Sequence, residues 1–157
     1  MAVVTITAAS AIPLPKQHHV GVQALHFQYA AGATAIGTAG DTVILGKLPQ
    51  HATILDVAAR LGTKADTVAT LVFFITKGKT ASETTTLAVI GTQSTSSTGG
   101  TVHFRPGATT ELPLIVSLSD DDAIQYALLK VRFAAGTATA SFSVNGYITF
   151  AMNAEPA

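Results

Sequence analysis

The sequence predicts an all-β fold: a single antiparallel β-sandwich of jelly-roll or Greek-key type with about eight or nine strands. Three observations support this prediction. Apolar residues alternate with polar ones in most segments, which is the period of a half-buried strand. Gly, Thr, Ser and Asp separate these segments, as is typical of turns. No segment has a convincing helical period, and strands without helices indicate a sandwich or a barrel.

The chain of 157 residues has the length of a single domain. Its beginning, MAVVTITAASAIPLPK, contains two prolines, Pro13 and Pro15, which favour an extended conformation. We therefore predict an extended N-terminal arm over residues 1–17 and a β-sandwich domain over residues 18–157. No basic segment precedes the first apolar residues, so a signal peptide is not expected. No apolar run approaches the ~20 residues that a membrane-spanning helix needs.

The first predicted strands lie before residue 62. The segments VGVQALHFQYA at 20–30 and ATILDVAARL at 52–61 each place apolar side chains on one face. The residues predicted to face the core are Leu25, Phe27 and Tyr29 in the first segment and Leu55, Val57, Ala59 and Leu61 in the second. Between them, TVIL at 42–45 is a candidate strand. KLPQH at 47–51 then either reverses the chain or carries it to the other sheet.

The middle of the chain offers three further strands. TVATLVFFIT at 67–76 is apolar on both faces, which predicts a central strand. TTTLAVIG at 84–91 and TVHF at 101–104 are shorter candidates. GTQSTSSTGG at 91–100, between these two, has the composition of a flexible loop.

The last third contains the clearest alternation. In ELPLIVSL at 111–118, Pro113 cannot donate to a β-ladder and suggests an edge position or a strand start. YALLKVRF at 126–133 and ATASFSVNGYITF at 138–150 are long strands with one wet face. The residues predicted to face the core are Leu112, Leu114, Val116 and Leu118, then Ala127, Leu129, Val131 and Phe133, then Ala138, Ala140, Phe142, Val144, Gly146, Ile148 and Phe150.

Composition excludes several function classes. The chain has no cysteine, which excludes disulfides, zinc–thiolate sites and thiol nucleophiles. Nine basic residues balance nine acidic ones, so we expect no direct nucleic-acid binding. Charged residues make up only 11% of the chain and hydrophobic residues 48%. That is little charge for a lone domain, so part of the surface is expected to be covered by a partner.

The histidines are the first candidates for chemistry. The chain contains His18, His19, His26, His51 and His103, and none of them forms an HxH or HxxxH pair. We therefore expect surface or interface histidines and no metal site. The run Asp120, Asp121 and Asp122 could ligate a cation, but the EF-hand pattern is absent and a solvated turn is the preferred interpretation.

Motifs for catalysis and for cofactor binding are also missing. There is no GxSxG nucleophile elbow, and the glycine-rich segment AAGATAIGTAGD at 30–41 lacks the lysine of a phosphate-binding loop. The acidic residues suggest no pair for glycoside hydrolysis. We therefore expect contact and not catalysis, with no cofactor.

Several features together resemble the decoration, or cement, proteins of tailed bacteriophage heads. These features are the proline-containing arm, the segment GD-x-V-x-L-G-x-LP at 40–49 running into ATILDV at 52–57, and a last strand that ends in GYITF at 146–150. The resemblance covers the chain from about residue 20 to 150.

This resemblance implies a non-enzymatic virion protein that binds between major capsid protein subunits on the capsid exterior and is assembled in the host bacterial cytoplasm. It also implies a homo-oligomer, with a trimer favoured, and no membrane partner. The candidate partner-contact residues are Ile12, Pro13, Leu14 and Pro15 in the arm and Lys47, Leu48, Pro49 and His51 in the turn.

Two other functions stay open. The first is a receptor- or glycan-binding module of a phage tail or fibre, which would cluster Tyr29, Tyr126 or Tyr147 around a groove. A capsid-binding protein would show a flat apolar patch instead. The second is a small β-barrel enzyme, which would require a histidine to converge with a carboxylate.

Overall fold

The computed structural model describes residues 5–7, 21–30, 40–61, 70–78, 86–94, 100–106, 112–117, 126–135 and 143–152. These residues form ten strands: β1 (Thr5–Thr7), β2 (Gly21–Ala30), β3 (Thr42–Pro49), β4 (Ala52–Leu61), β5 (Thr70–Lys77), β6 (Thr86–Ser94), β7 (Gly100–Phe104), β8 (Leu114–Ile115), β9 (Tyr126–Ala135) and β10 (Ser143–Met152). None of the described residues belongs to a helix long and apolar enough to cross a membrane.

The strands form two sheets with jelly-roll connectivity. The first sheet has the order β1-β3-β9-β5-β6, and the second has the order β2-β10-β4-β7, with β8 paired to β4. If the short strands β1 and β8 are set aside, the eight that remain pair in a nested way: β2 with β10, β3 with β9, β4 with β7, and β5 with β6. All of these pairs are antiparallel, so the predicted sandwich of jelly-roll type is confirmed.

The core lies between the two sheets and follows the predicted alternation along most strands. Phe27, Leu129 and Ile148 are completely buried, as their phase predicts. Phe73 of the first sheet meets Phe104 of the second edge-to-face, with ring centroids 5.5 Å apart and the ring planes at 62°. This arrangement adds a specific aromatic contact to the apolar area buried between the sheets. Burial also raises the pKa of the Tyr29 hydroxyl, because the ionised form loses hydration.

The alternation is interrupted in β4, where the prediction for Leu55 is wrong. The pairing of β10 with β4 shifts register between Thr149 and Phe150, so that Thr149 pairs with Asp56 and Phe150 with Ile54. The extra residue, Leu55, has no partner at this bulge. Ile54 is consequently the fully buried residue, and Leu55 is only half-buried.

Several strand ends differ from those predicted. β3 continues to Pro49, β6 reaches Ser94 within the predicted loop 91–100, and β8 is only two residues long. β8 begins immediately after Pro113 and pairs with β4 alone, as a strand start beside a proline does. β1 lies inside the predicted arm and pairs in parallel with Thr42–Ile44 of β3. Residues 138–142 and Leu118, also predicted to be in strands, lie outside the described residues, and nothing is described of the Phe133 side chain.

The outer face of the first sheet is buried as well as its inner face. Its buried side chains are Ile44, Val72, Phe74, Thr76, Leu128 and Lys130. Ile44 and Leu128 form a second apolar cluster together with Tyr126. Lys130, predicted to point into solvent, is only 2% exposed. The apolar residues on both faces of β5 are consistent with this double burial.

Candidate interaction face

The outer face of the second sheet is open, in contrast to that of the first. Along β10, inward side chains are buried, while Asn145 and Tyr147 on the other side are exposed. The same holds in β2, where His26 and Gln28 are exposed between buried residues. We call this surface, formed by the outward residues of β2, β10, β4, β7 and β8, the open face.

One row of residues crosses the middle of the open face. In register, His26 of β2 lies beside Tyr147 of β10, Tyr147 beside Ala58 of β4, and Ala58 beside His103 of β7. Ala58 is small, so a gap separates Tyr147 from His103. The resulting shallow groove has a volume of about 410 Å³, and Arg60 and Gly146 also line it.

His103 is held at one side of the groove by hydrogen-bonding contacts. Its Nε2 lies 2.8 Å from both carboxylate oxygens of Asp56. Arg105 Nε lies 3.0 Å from each ring nitrogen of His103. When Nε2 donates to Asp56, Nδ1 of the neutral ring is the nitrogen that can accept from Arg105. About one third of each side chain in the His103–Asp56 pair is exposed, so the pair contributes at most about 1 kcal/mol to stability.

The other side of the groove is fixed by His26. Its Nε2 lies 2.6 Å from the Asn145 side-chain oxygen, and its ring lies 5.6 Å from that of Tyr147. The interplanar angle of 52° is a tilted aromatic arrangement. Tyr147 is nevertheless 57% exposed, and it lines the groove.

An apolar row crosses the same face nearer the other end of the sheet. Val22 of β2 lies beside Ala151 of β10, Ala151 beside Thr53 of β4, and Thr53 beside Ile115 of β8. Val22 is 68% exposed and Ile115 is 60% exposed. Exposed apolar side chains therefore stand at the two ends of this row, and Ala151 and Thr53 between them are half-buried.

The predicted contact residues of the turn lie at another place in the fold. Leu48 is completely buried and Pro49 is also buried, while Lys47 is half-buried with its Nζ 4.9 Å from the centroid of the Tyr126 ring. His51 is exposed. Gln50 and His51 join β3 of the first sheet to β4 of the second, so the segment carries the chain to the other sheet and does not form a hairpin.

His51 has an unusual backbone conformation at this crossing. Its φ is 65°, in the left-handed region, and its backbone N–H donates to the Val116 carbonyl at 3.0 Å. Histidine tolerates this region better than most residues do, whereas a β-branched side chain does not.

We expect His51→Val to lower the free energy of unfolding by about 1–2 kcal/mol, because the substitution adds a β-branched residue at positive φ. His51→Gly should be tolerated to within about 1 kcal/mol. Urea denaturation measures the free energy of unfolding of both variants. The control is Gln50→Val, one residue earlier, where φ is not positive. Equal stabilities of the valine and glycine variants would contradict the assigned conformation.

The remaining predicted candidates belong to segments that the structure does not describe. Ile12, Pro13, Leu14 and Pro15 lie outside the described residues, as do His18, His19, Asp120, Asp121 and Asp122. Within the described part of the chain, no group of three or more His, Asp or Glu side chains could hold a metal ion.

Comparison with solved structures relates the fold to capsid chains. A chain in the structure of the capsid of Ralstonia phage GP4 has a TM-score of 0.68 at 18% identity, over 97% of this chain and 100% of that chain. A chain in the capsid asymmetric unit of cyanophage Pam1 has a TM-score of 0.51 at 20% identity, over 92% of this chain and 95% of that chain. No family model and no curated protein matches the sequence. At these identities the likeness shows a shared fold.

Proposed function

We propose that this chain is a non-enzymatic structural protein of a phage head, which decorates the capsid and stabilises it by binding between major capsid protein subunits. The observation that carries the proposal is the likeness to the chain in the Ralstonia phage GP4 capsid, which covers 97% of this chain and the whole of that one.

The positions of the tyrosines favour this function over a glycan-binding module. Tyr29 is buried in the core, Tyr126 packs beside the outer cluster of the first sheet, and Tyr147 lies on the open face. The three therefore do not surround one groove. The row from Val22 to Ile115 exposes two large apolar side chains, which supports a surface that binds other proteins.

The His103–Asp56 contact is the one place where a described histidine converges with a carboxylate. Its hydrogen-bonding partners are Asp56 and Arg105, and neither supplies a hydroxyl or thiol nucleophile. The pair lies on an exposed sheet surface, where water screens its charges. These features support a structural role for the His103–Asp56 contact over a catalytic one.

The finer parts of the proposal concern assembly. A homotrimer on the capsid exterior would cover part of a surface that is poor in charge. Residues 1–17 would contribute contacts to a neighbour or to the shell, as extended arms do on binding. The protein would be made in the host bacterial cytoplasm and join heads there, without cofactor, membrane or direct nucleic-acid contact.

The test uses heads of the phage that encodes this chain, prepared with its gene deleted. Purified protein should co-sediment with these heads at a saturating, fixed ratio to the major capsid protein and should raise the temperature at which the heads release DNA. Light scattering on the free protein should give the mass of a trimer. Failure to bind, with DNA release unchanged, would overturn the proposed function.

A further inference from the structure

The two outer faces of the sandwich differ in a way that identifies one of them for docking. Among the described residues, the large hydrophobic side chains that are exposed are Val22, Val89, Ile115 and Tyr147. Val22, Ile115 and Tyr147 all lie on the open face, while Val89 lies on β6 at the edge of the first sheet. The outer face of the first sheet is already buried within the chain.

The open face also carries more cations than carboxylates among its described residues. Its described carboxylate, Asp56, contacts His103, and the other charged residues described on this face, Arg60 and Arg105, are both cations. Arg105 contacts His103. The Arg60 guanidinium has no hydrogen bond or ion pair among the residues that the structure describes, and it lines the groove beside Tyr147. This face therefore complements a surface that carries carboxylates.

We propose that the open face is the surface by which the protein docks on the capsid shell, against an acidic and partly apolar patch of the major capsid protein. This inference rests on the proposed function and names the face and the chemistry of its partner. Tyr147 and the groove beside it are the anchor, because an exposed tyrosine next to a depression gains a large apolar contact and loses little side-chain entropy. Arg60 binds a carboxylate of the shell.

A second copy of the same chain fits this face less well. Two open faces brought together would each contribute the cations Arg60 and Arg105, and the one described carboxylate of each face is already in contact with His103. Like charges across an interface cost free energy and suppress that pairing. Pairing of two open faces is accordingly disfavoured, and the contacts of a trimer join different surfaces of neighbouring copies, so the open face is not required to pair with itself.

The experiment compares variants in binding to the gene-deleted heads. Tyr147→Ala should weaken binding at least about 30-fold, the effect of removing an interface anchor worth 2 kcal/mol. Arg60→Glu should weaken binding more than about tenfold and should reduce its dependence on salt, because a charge pair becomes a repulsion. The matched controls are Val89→Ala, an exposed hydrophobic on the first sheet, and Lys77→Glu, a cation on the same sheet. Both controls should bind within about twofold of the wild type.

The outcomes separate this inference from the function on which it rests. If the wild type binds heads and all four variants bind equally well, the open face is not the docking face, while the proposed function stands. If Tyr147→Ala or Arg60→Glu changes the mass of the free oligomer, the face is a contact between copies and the inference is wrong. If the wild type binds a glycan array and Tyr147→Ala does not, the groove binds sugar and the docking inference is wrong. A wild type that does not bind heads removes both proposals. Unchanged circular dichroism shows that the variants are folded.

Discussion

Replacing Gly146 with alanine is expected to lower the free energy of unfolding by about 3 kcal/mol, at the upper end for an added methyl group in a packed site. Gly146 lies in the middle of β10, between Phe27 of β2 and Ala59 of β4. A Cβ atom built on it would lie 2.7 Å from the Cα of Ala59 and closer still to the carbonyl oxygen of Ala58. Both are backbone atoms of the neighbouring strand, so relief requires the two strands to separate.

The matched control for this change is Gly100→Ala in β7. A Cβ at Gly100 meets no atom within 4 Å, and the residue is exposed. Alanine there should change stability by less than about 1 kcal/mol, with a small gain from the stiffer unfolded chain. Urea denaturation measures the free energy of unfolding of the two variants. Equal stabilities would contradict the close approach of β10 to β4 that forms the floor of the groove.

Replacing Phe73 with alanine is expected to cost about 3–5 kcal/mol, the range measured for large aromatic residues removed from cores. Phe73 is completely buried in the first sheet, and its ring meets Phe104 of the second sheet. The substitution loses the burial of the ring, leaves a cavity and removes the edge-to-face contact between the sheets. A loss of this size is a large fraction of the about 5–15 kcal/mol by which a typical domain is stable.

Val89→Ala is the control for Phe73→Ala, because Val89 lies on the neighbouring strand β6 and is 39% exposed. It should cost less than about 1 kcal/mol. Thermal unfolding followed by circular dichroism compares the two variants, and the phenylalanine variant should melt more than 10 °C lower. A cost below about 1 kcal/mol for Phe73→Ala would show that the two sheets do not pack through this residue.

Alternation in the sequence predicts most of the core because each strand has one face against the other sheet. The prediction fails at Leu55 because a bulge adds one residue to β4 and shifts the phase, so that Ile54 is buried instead. The sequence ATILDV does not indicate this bulge, because an aliphatic residue, Ile54 or Leu55, would face the core in either register. The prediction that Lys130 is exposed fails for another reason. Its side chain lies on the outer face of the first sheet as predicted, but that face is itself buried.

The sequence indicates the residues of the open face less clearly than those of the core. His26, Tyr147 and His103 each appear as outward residues of separate strands, and only the pairing of β2, β10, β4 and β7 aligns them in one row. The sequence indicates instead the polar turn at 47–51, where Leu48 and Pro49 are buried in their own chain. Strand order decides which exposed residues are neighbours, and strand order is set by contacts between residues distant in the chain.

Cryo-electron microscopy of phage heads, prepared from the phage that our proposal requires to encode this chain, tests the proposed function most directly. We expect density for the jelly roll on the outside of the shell, at junctions between major capsid protein subunits. Heads prepared without the gene should lack this density. The open face, with Tyr147, should be turned toward the shell. Heads without such density, or density confined to the tail, would contradict the claim that this protein decorates the capsid.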